Sequence, residues 1–193
     1  TVAAVGSELT ASVNDPDGGV TGITWLWERH SLTPTPGWVT LPTGDDPTTY
    51  TPQRGDLGGR LRVRADPYTD GHGPGKSAQN TSVDRVVDVP DAPGDLSPSA
   101  GDGSVTLSWD GAVTNGAAIR RYEHRRRPNA QGEDQWTGWA EVPVEEDDHA
   151  RDARSAVVSS LTNGTLYTFE VRAVNGVGPG VAADTTATPG CEC

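Results

Sequence analysis

Catalysis needs side chains that exchange protons, hold a metal or attack a substrate, so the histidines are the first test. His30, His72, His124 and His149 fall in unrelated loops or strand ends. None has helical metal-ligand spacing, and neither a His-Glu-x-x-His nor a Gly-x-Ser-x-Gly pattern occurs. Gly75-Lys76-Ser77 matches the tail of a phosphate-binding loop. The position that needs the first glycine holds Asp70, and Pro74 with a following strand leaves no helix N-terminus to meet a phosphate. The expectation is a protein that is not an enzyme.

Binding chemistry has more candidates. Asp15, Asp17, Asp66 and Asp70 could supply carboxylates to calcium, which takes six to eight oxygens. Asp15-Pro16-Asp17-Gly18 is equally a complete turn in its own right. No other cofactor is implied. Arg54-Gly55-Asp56 is an integrin-type tripeptide that also suits an ordinary turn between strands. Arg120, Arg121, Arg125, Arg126 and Arg127 form a basic cluster, followed by the acidic run Glu145, Glu146, Asp147 and Asp148. Pairing within the chain or plain solvation accounts for both. The alternative is a charge-complementary contact with a partner or a second subunit, with Arg121, Arg125 and Arg127 as contacts.

Trp136 and Trp139 are three apart, so on a strand they face opposite sides. One is expected inside and the other exposed, where it could stack on a sugar ring or pack at a rim. Asn80-Thr81-Ser82 and Asn163-Gly164-Thr165 satisfy the glycosylation pattern. Cys191 and Cys193 stand at the C-terminal end and cannot staple a core. A bond between them closes a small, strained ring; cross-linking to another chain, metal capture or a remnant are the other options, and the sequence does not choose among them.

These residues must be held by strands. Period-two alternation recurs, and no sustained helical period appears. Ile23, Trp25 and Trp27 share one face, opposite Thr24, Leu26 and Glu28. Leu61, Val63 and Ala65 alternate with Arg60, Arg62 and Arg64, giving an apolar inner and a cationic outer face. Later strands are expected at residues 119–127, 136–142, 156–158 and 181–187, with Val105, Leu107 and Trp109, and then Tyr167, Phe169, Val171 and Ala173, pointing inward. Val89-Pro90-Asp91-Ala92-Pro93 reads as a stiff connection, since proline resists pairing inside a sheet. The expected organisation is a domain at 1–88, a linker at 89–93, a domain at 94–190 and a Cys-containing tail at 191–193.

Composition agrees with many short strands. The chain has 24 Gly and 15 Pro in 193 residues, and Gly and Pro punctuate turns. Apolar residues are 33%, enough for two thin sandwiches of about 100 residues each rather than one continuous core. The net charge of −12 excludes a phosphate-binding surface and therefore nucleic acid as a partner. No stretch approaches the roughly 20 apolar residues of a membrane span. No secretory leader is evident and the first residue is Thr1, so the sequence reads as a processed protein or a piece of a longer one.

Residues 91–190 resemble a fibronectin type III domain. The resemblance is carried by Pro90-Asp91-Ala92-Pro93, Val105-Thr106-Leu107-Ser108-Trp109, Asn115-Gly116-Ala117-Ala118-Ile119, and above all the run from Leu161 to Asn175. It implies that Trp109 is the core tryptophan and that Tyr167 closes a tyrosine corner through its hydroxyl. Residues 1–88 resemble the immunoglobulin-like or cadherin-like repeats of bacterial surface proteins. That resemblance is carried by Val5-Gly6-Ser7-Glu8-Leu9, Asp15-Pro16-Asp17-Gly18, Trp25-Leu26-Trp27, Tyr50-Thr51-Pro52 and Leu57-Gly58-Gly59.

The fold class expected is all-β, with two tandem antiparallel β-sandwiches, immunoglobulin-like and then fibronectin type III. The expected role is a non-catalytic extracellular or cell-surface module: a spacer, an adhesin segment or a filament subunit. Its partners would be protein, self-association included. A glycan-binding accessory module of a secreted hydrolase is the alternative.

Overall fold

A computed structural model describes residues 3–14, 19–31, 36–69, 76–81, 85–129, 135–143 and 152–190. The described chain is built of antiparallel sheets with one short 3-10 turn. It divides into two compact units, Thr1–Asp88 and Val89–Cys193.

In the first unit, β1 (Leu9–Thr10) pairs with β4 (Thr49–Tyr50). The other sheet runs β3 (Gly37–Thr40), β2 (Trp25–Ser31), β5 (Arg60–Tyr68), β6 (Lys76–Thr81). The alternation read from β5 holds: Leu61 and Ala65 are buried, and the arginines between them face outward. Ala3, Ala11, Trp27, Tyr50, Leu61 and Val86 form the core, with the Trp27 and Tyr50 rings stacked 5.7 Å apart.

Arg54–Asp56 is the 3-10 turn between β4 and β5. Its Asp56 is only 3% exposed. The carboxylate accepts the Tyr50 hydroxyl at 2.5 Å and the Gln53 backbone N–H at 2.9 Å, and Arg29 lies 3.8 Å away. The integrin-type tripeptide is thus a folding element, with its acidic residue turned into the unit.

The second unit is a sandwich of two sheets. One has the order β11 (Ser155–Val158), β8 (Ser104–Asp110), β7 (Gly94–Gly101). The other has the order β10 (Ala140–Glu141), β9 (Arg121–Pro128), β12 (Tyr167–Val174), β13 (Pro179–Ala187). Inward residues of both sheets close the core, including Val105, Leu107, Trp109, Tyr122, Phe169 and Val171. Tyr167 makes the expected corner, its hydroxyl oxygen accepting the Thr162 N–H at 3.2 Å. The Asn163 side chain receives the Gly103 N–H and donates to Asp102, so this glycosylation-type Asn fastens the turn between β7 and β8.

Val89–Pro93 packs within the second unit. Asn115 donates to the Val89 carbonyl and to Asp91, both at 2.9 Å, and Asp91 N–H donates to Val113 at 3.1 Å. Pro90 is fully buried, and its carbonyl accepts the Val181 N–H at 3.3 Å. A Cβ at Gly180 would collide with that carbonyl, which is why β13 carries glycine there.

Candidate functional site: the tryptophan–arginine face of the second unit

The outward face of the β10–β9–β12–β13 sheet gathers the charged residues of two strands. Arg121, Glu123, Arg125 and Arg127 alternate along β9. The register sets Glu123 opposite Arg172, Arg125 opposite Glu170 and Arg127 opposite Thr168. Opposite charges face each other across the ladder, the favourable arrangement for cross-strand pairs.

Glu123 is the centre of the ionic network, at 7% exposure. One carboxylate oxygen accepts Arg121 at 2.6 and 2.8 Å, and the other accepts Arg172 at 2.7 and 2.9 Å. Glu141 approaches Arg121 at 3.7 Å. Arg125 donates to Glu170 at 2.5 Å. A buried carboxylate without such partners would be strongly destabilising, so the two guanidinium groups are what permit Glu123 in this place.

The tryptophans complete the face. Residues 135–139 form no strand, and β10 begins only at Ala140. The expected strand at 136–142 is therefore mostly an extended loop, and Trp136 and Trp139 do not face opposite sides. Thr137 is the reason. Its N–H donates to the Arg126 carbonyl, and its hydroxyl accepts the Arg126 N–H, pinning the loop to the edge of β9. Both half-buried rings come down over the arginines. Arg127 lies 5.0 Å from the Trp136 centroid and Arg125 4.4 Å from it. Arg125 lies 4.5 Å from the Trp139 centroid and Arg172 3.8 Å. The order Arg127, Trp136, Arg125, Trp139, Arg172 is a ladder of alternating cations and rings.

Magnitudes decide what fixes this face. A surface ion pair contributes about 0–1 kcal/mol. A guanidinium over a partly desolvated indole contributes about 0.5–2 kcal/mol. Stacking therefore outweighs an exposed pair such as Arg121–Glu141, while breaking the buried Glu123 pairs costs more than either. All five sequence-derived contact candidates, Arg121, Arg125, Arg127, Trp136 and Trp139, meet here. Sequence reasoning missed Glu123, Glu170 and Arg172, because strand register brings them in and no local pattern carries it.

The Glu123 carboxyl titrates below its ordinary 4.5: burial acts to raise it, and the hydrogen bonds from Arg172 and Arg121 outweigh the burial. A lowered carboxyl pKa contributes stability that is fully present above the unfolded value and is lost as pH falls through the folded one. Urea midpoints of wild type and Glu123→Gln should differ at pH 7 and converge as the pH falls below about 4.5. A gap that stays constant into acid would refute the pairing.

Other candidates are not brought together. Asp66 pairs with Arg64, while Asp15, Asp17 and Asp70 lie outside the described residues. Among the described residues no group of three or more His, Cys, Asp or Glu gathers as a metal site. Cys191, Cys193, His72, His149 and the acidic run Glu145–Asp148 also lie outside them. Lys76 and Ser77 of the phosphate-loop fragment lie within β6, a strand and not a helix. No helix among the described residues is long and apolar enough to cross a membrane.

The fibronectin type III domain family matches residues 91–188. No curated protein matches the chain. Among solved structures, domains A168–A170 of titin align with 97% of this chain at 19% identity and a TM-score of 0.50. The FN1–FN3 domains of chicken CNTN1 align with 97% at 15% identity and a TM-score of 0.47. The chain spans 61% of the titin fragment and 65% of the CNTN1 fragment. At 19% identity the likeness to titin is one of fold.

Proposed function

The chain belongs to the fibronectin type III family, matched over residues 91–188, and from that membership we propose that it is a non-catalytic interaction module of an extracellular or cell-surface protein. The observation that carries this reading is the tryptophan–arginine ladder. Tryptophan and arginine are the residue types that dominate binding energy at protein interfaces. Held in place by ion pairs and stacking, they lose little side-chain freedom when a partner docks. The partner is a protein, a second copy of the chain included.

Size-exclusion chromatography with light scattering, across protein concentration and with and without reductant, tests this. Growth with concentration that Trp139→Ala abolishes would assign self-association to this face. Loss of growth on reduction alone would move the contact to Cys191 and Cys193. A monomer under every condition removes self-association and leaves a spacer with a different partner.

Glycan binding is the second reading, motivated by two indoles on one face. It expects retention on a polysaccharide array that Trp136→Ala removes. Each ring already carries two guanidinium groups, which is the observation against it.

A further inference from the structure

The family match leaves residues 1–88 unassigned. We infer that this first unit carries the same Glu–Arg–Trp clamp as the second, with Glu28, Arg62 and Trp38 in the places of Glu123, Arg172 and Trp139, and that Glu28 is the positioning residue for the Trp38 ring.

The correspondence is one of register. The sheets have matching chain order, β3–β2–β5–β6 and β10–β9–β12–β13. Glu28 on β2 stands opposite Arg62 on β5, as Glu123 on β9 stands opposite Arg172 on β12. On its other side Glu28 stands opposite Thr40, and Glu123 opposite Glu141. In each unit the tryptophan lies two residues before that partner.

The same alignment continues outward. Leu41 N–H donates to the Trp27 carbonyl at 2.8 Å, and Val142 N–H donates to the Tyr122 carbonyl at 3.0 Å. Trp38-Val39-Thr40-Leu41-Pro42 thus answers Trp139-Ala140-Glu141-Val142-Pro143, and Leu61-Arg62-Val63 answers Val171-Arg172-Ala173.

The contacts agree as well as the positions. Glu28 is 7% exposed, the same as Glu123. Arg62 donates to Glu28 at 2.6 Å, and its guanidinium lies 4.1 Å from the Trp38 centroid. A sheet face open to water gives no reason to bury a carboxylate, because desolvating it is costly. Its burial in both units is explained if the acid holds the guanidinium flat and the guanidinium holds the indole. In the first unit the His30 ring also meets Trp38, in a T-shaped contact at 5.2 Å. Arg125 occupies the equivalent position in the second unit, over Trp139. Leu26 stands where Arg121 gives Glu123 a second guanidinium, so the two clamps share the Glu–Arg–Trp core and differ around it.

The experiment uses the full chain labelled with 5-fluorotryptophan, its six fluorine resonances assigned by single Trp→Phe variants. Glu28→Gln is expected to displace the Trp38 resonance and leave Trp25 and Trp27 in place. Glu123→Gln is expected to displace Trp139 in the same direction. Arg62→Lys keeps the charge but loses the planar stack, and is expected to displace Trp38 alone; it serves as the test should Glu28→Gln fail to fold. A Trp38 resonance unmoved by a folded variant overturns the inference. So does equal movement of Trp25, Trp27 and Trp38, which would mean general loosening of the unit rather than release of one ring.

Discussion

Asp56→Ala should destabilise the first unit by about 2–4 kcal/mol, the order expected for leaving two buried donors without their acceptor. The substitution strands three groups together. Tyr50 loses the acceptor of its hydroxyl, Gln53 loses the acceptor of its N–H, and Arg29 loses its nearby carboxylate. Burial and then the Asp56 hydrogen bond push the Tyr50 phenol well above its ordinary value of 10, so the tyrosine stays a donor in the native state. Urea denaturation followed by fluorescence reads the result, since Trp27 stacks on Tyr50. Asp56→Asn, which retains an acceptor oxygen, should cost less. A loss below about 1 kcal/mol for Asp56→Ala would match a surface pair instead and would reopen the adhesive reading of Arg54-Gly55-Asp56. That reading needs a carboxylate offered to solvent, and this one is not.

Phe169→Ala should cost the second unit about 3–5 kcal/mol, the usual penalty for emptying an aromatic site in a packed core. Phe169 is 0% exposed at the middle of β12, with the Tyr167 ring 6.1 Å away. β12 is also the strand that presents Glu170 and Arg172 outward. Its collapse would therefore disturb the ladder from beneath. Circular dichroism in urea gives the stability. Phe169→Leu is the control and should lose about 1–2 kcal/mol, because most of the volume stays filled. Equal losses for the two variants would mean that the ring is not packed as described.

Much of the architecture was legible because burial imposes period two. β5, β8 and β12 declare themselves through Leu61 and Ala65, Val105 to Trp109, and Tyr167 to Ala173. β7 does not. Its sequence is Gly-Asp-Leu-Ser-Pro-Ser-Ala-Gly, and only Leu96 packs against the core, as suits an edge strand that tolerates proline. The ladder was half legible. Arginine clustering and the tryptophan pair stand out in one dimension, but spacing alone assigned the rings to opposite faces. Thr137 decided otherwise, through two hydrogen bonds no periodicity encodes. Buried Glu28 and Glu123 were invisible for the same reason: each is explained only by the strand lying beside it.

The anchoring of Val89–Pro93 bears on how the second unit would carry a mechanical load. Tension applied at residue 89 would not reach β7 first. It would be borne by the Asn115 amide, the Asp91–Val113 bond and the Val181–Pro90 bond together, at the margin of the sandwich. Bonds loaded together must break together, whereas bonds loaded one at a time unzip. Resistance to pulling is set by the unfolding barrier rather than by equilibrium stability. Asn115→Ala should therefore lower the rupture force of this unit more than its urea midpoint would suggest, making a single buried amide the strain gauge of the module.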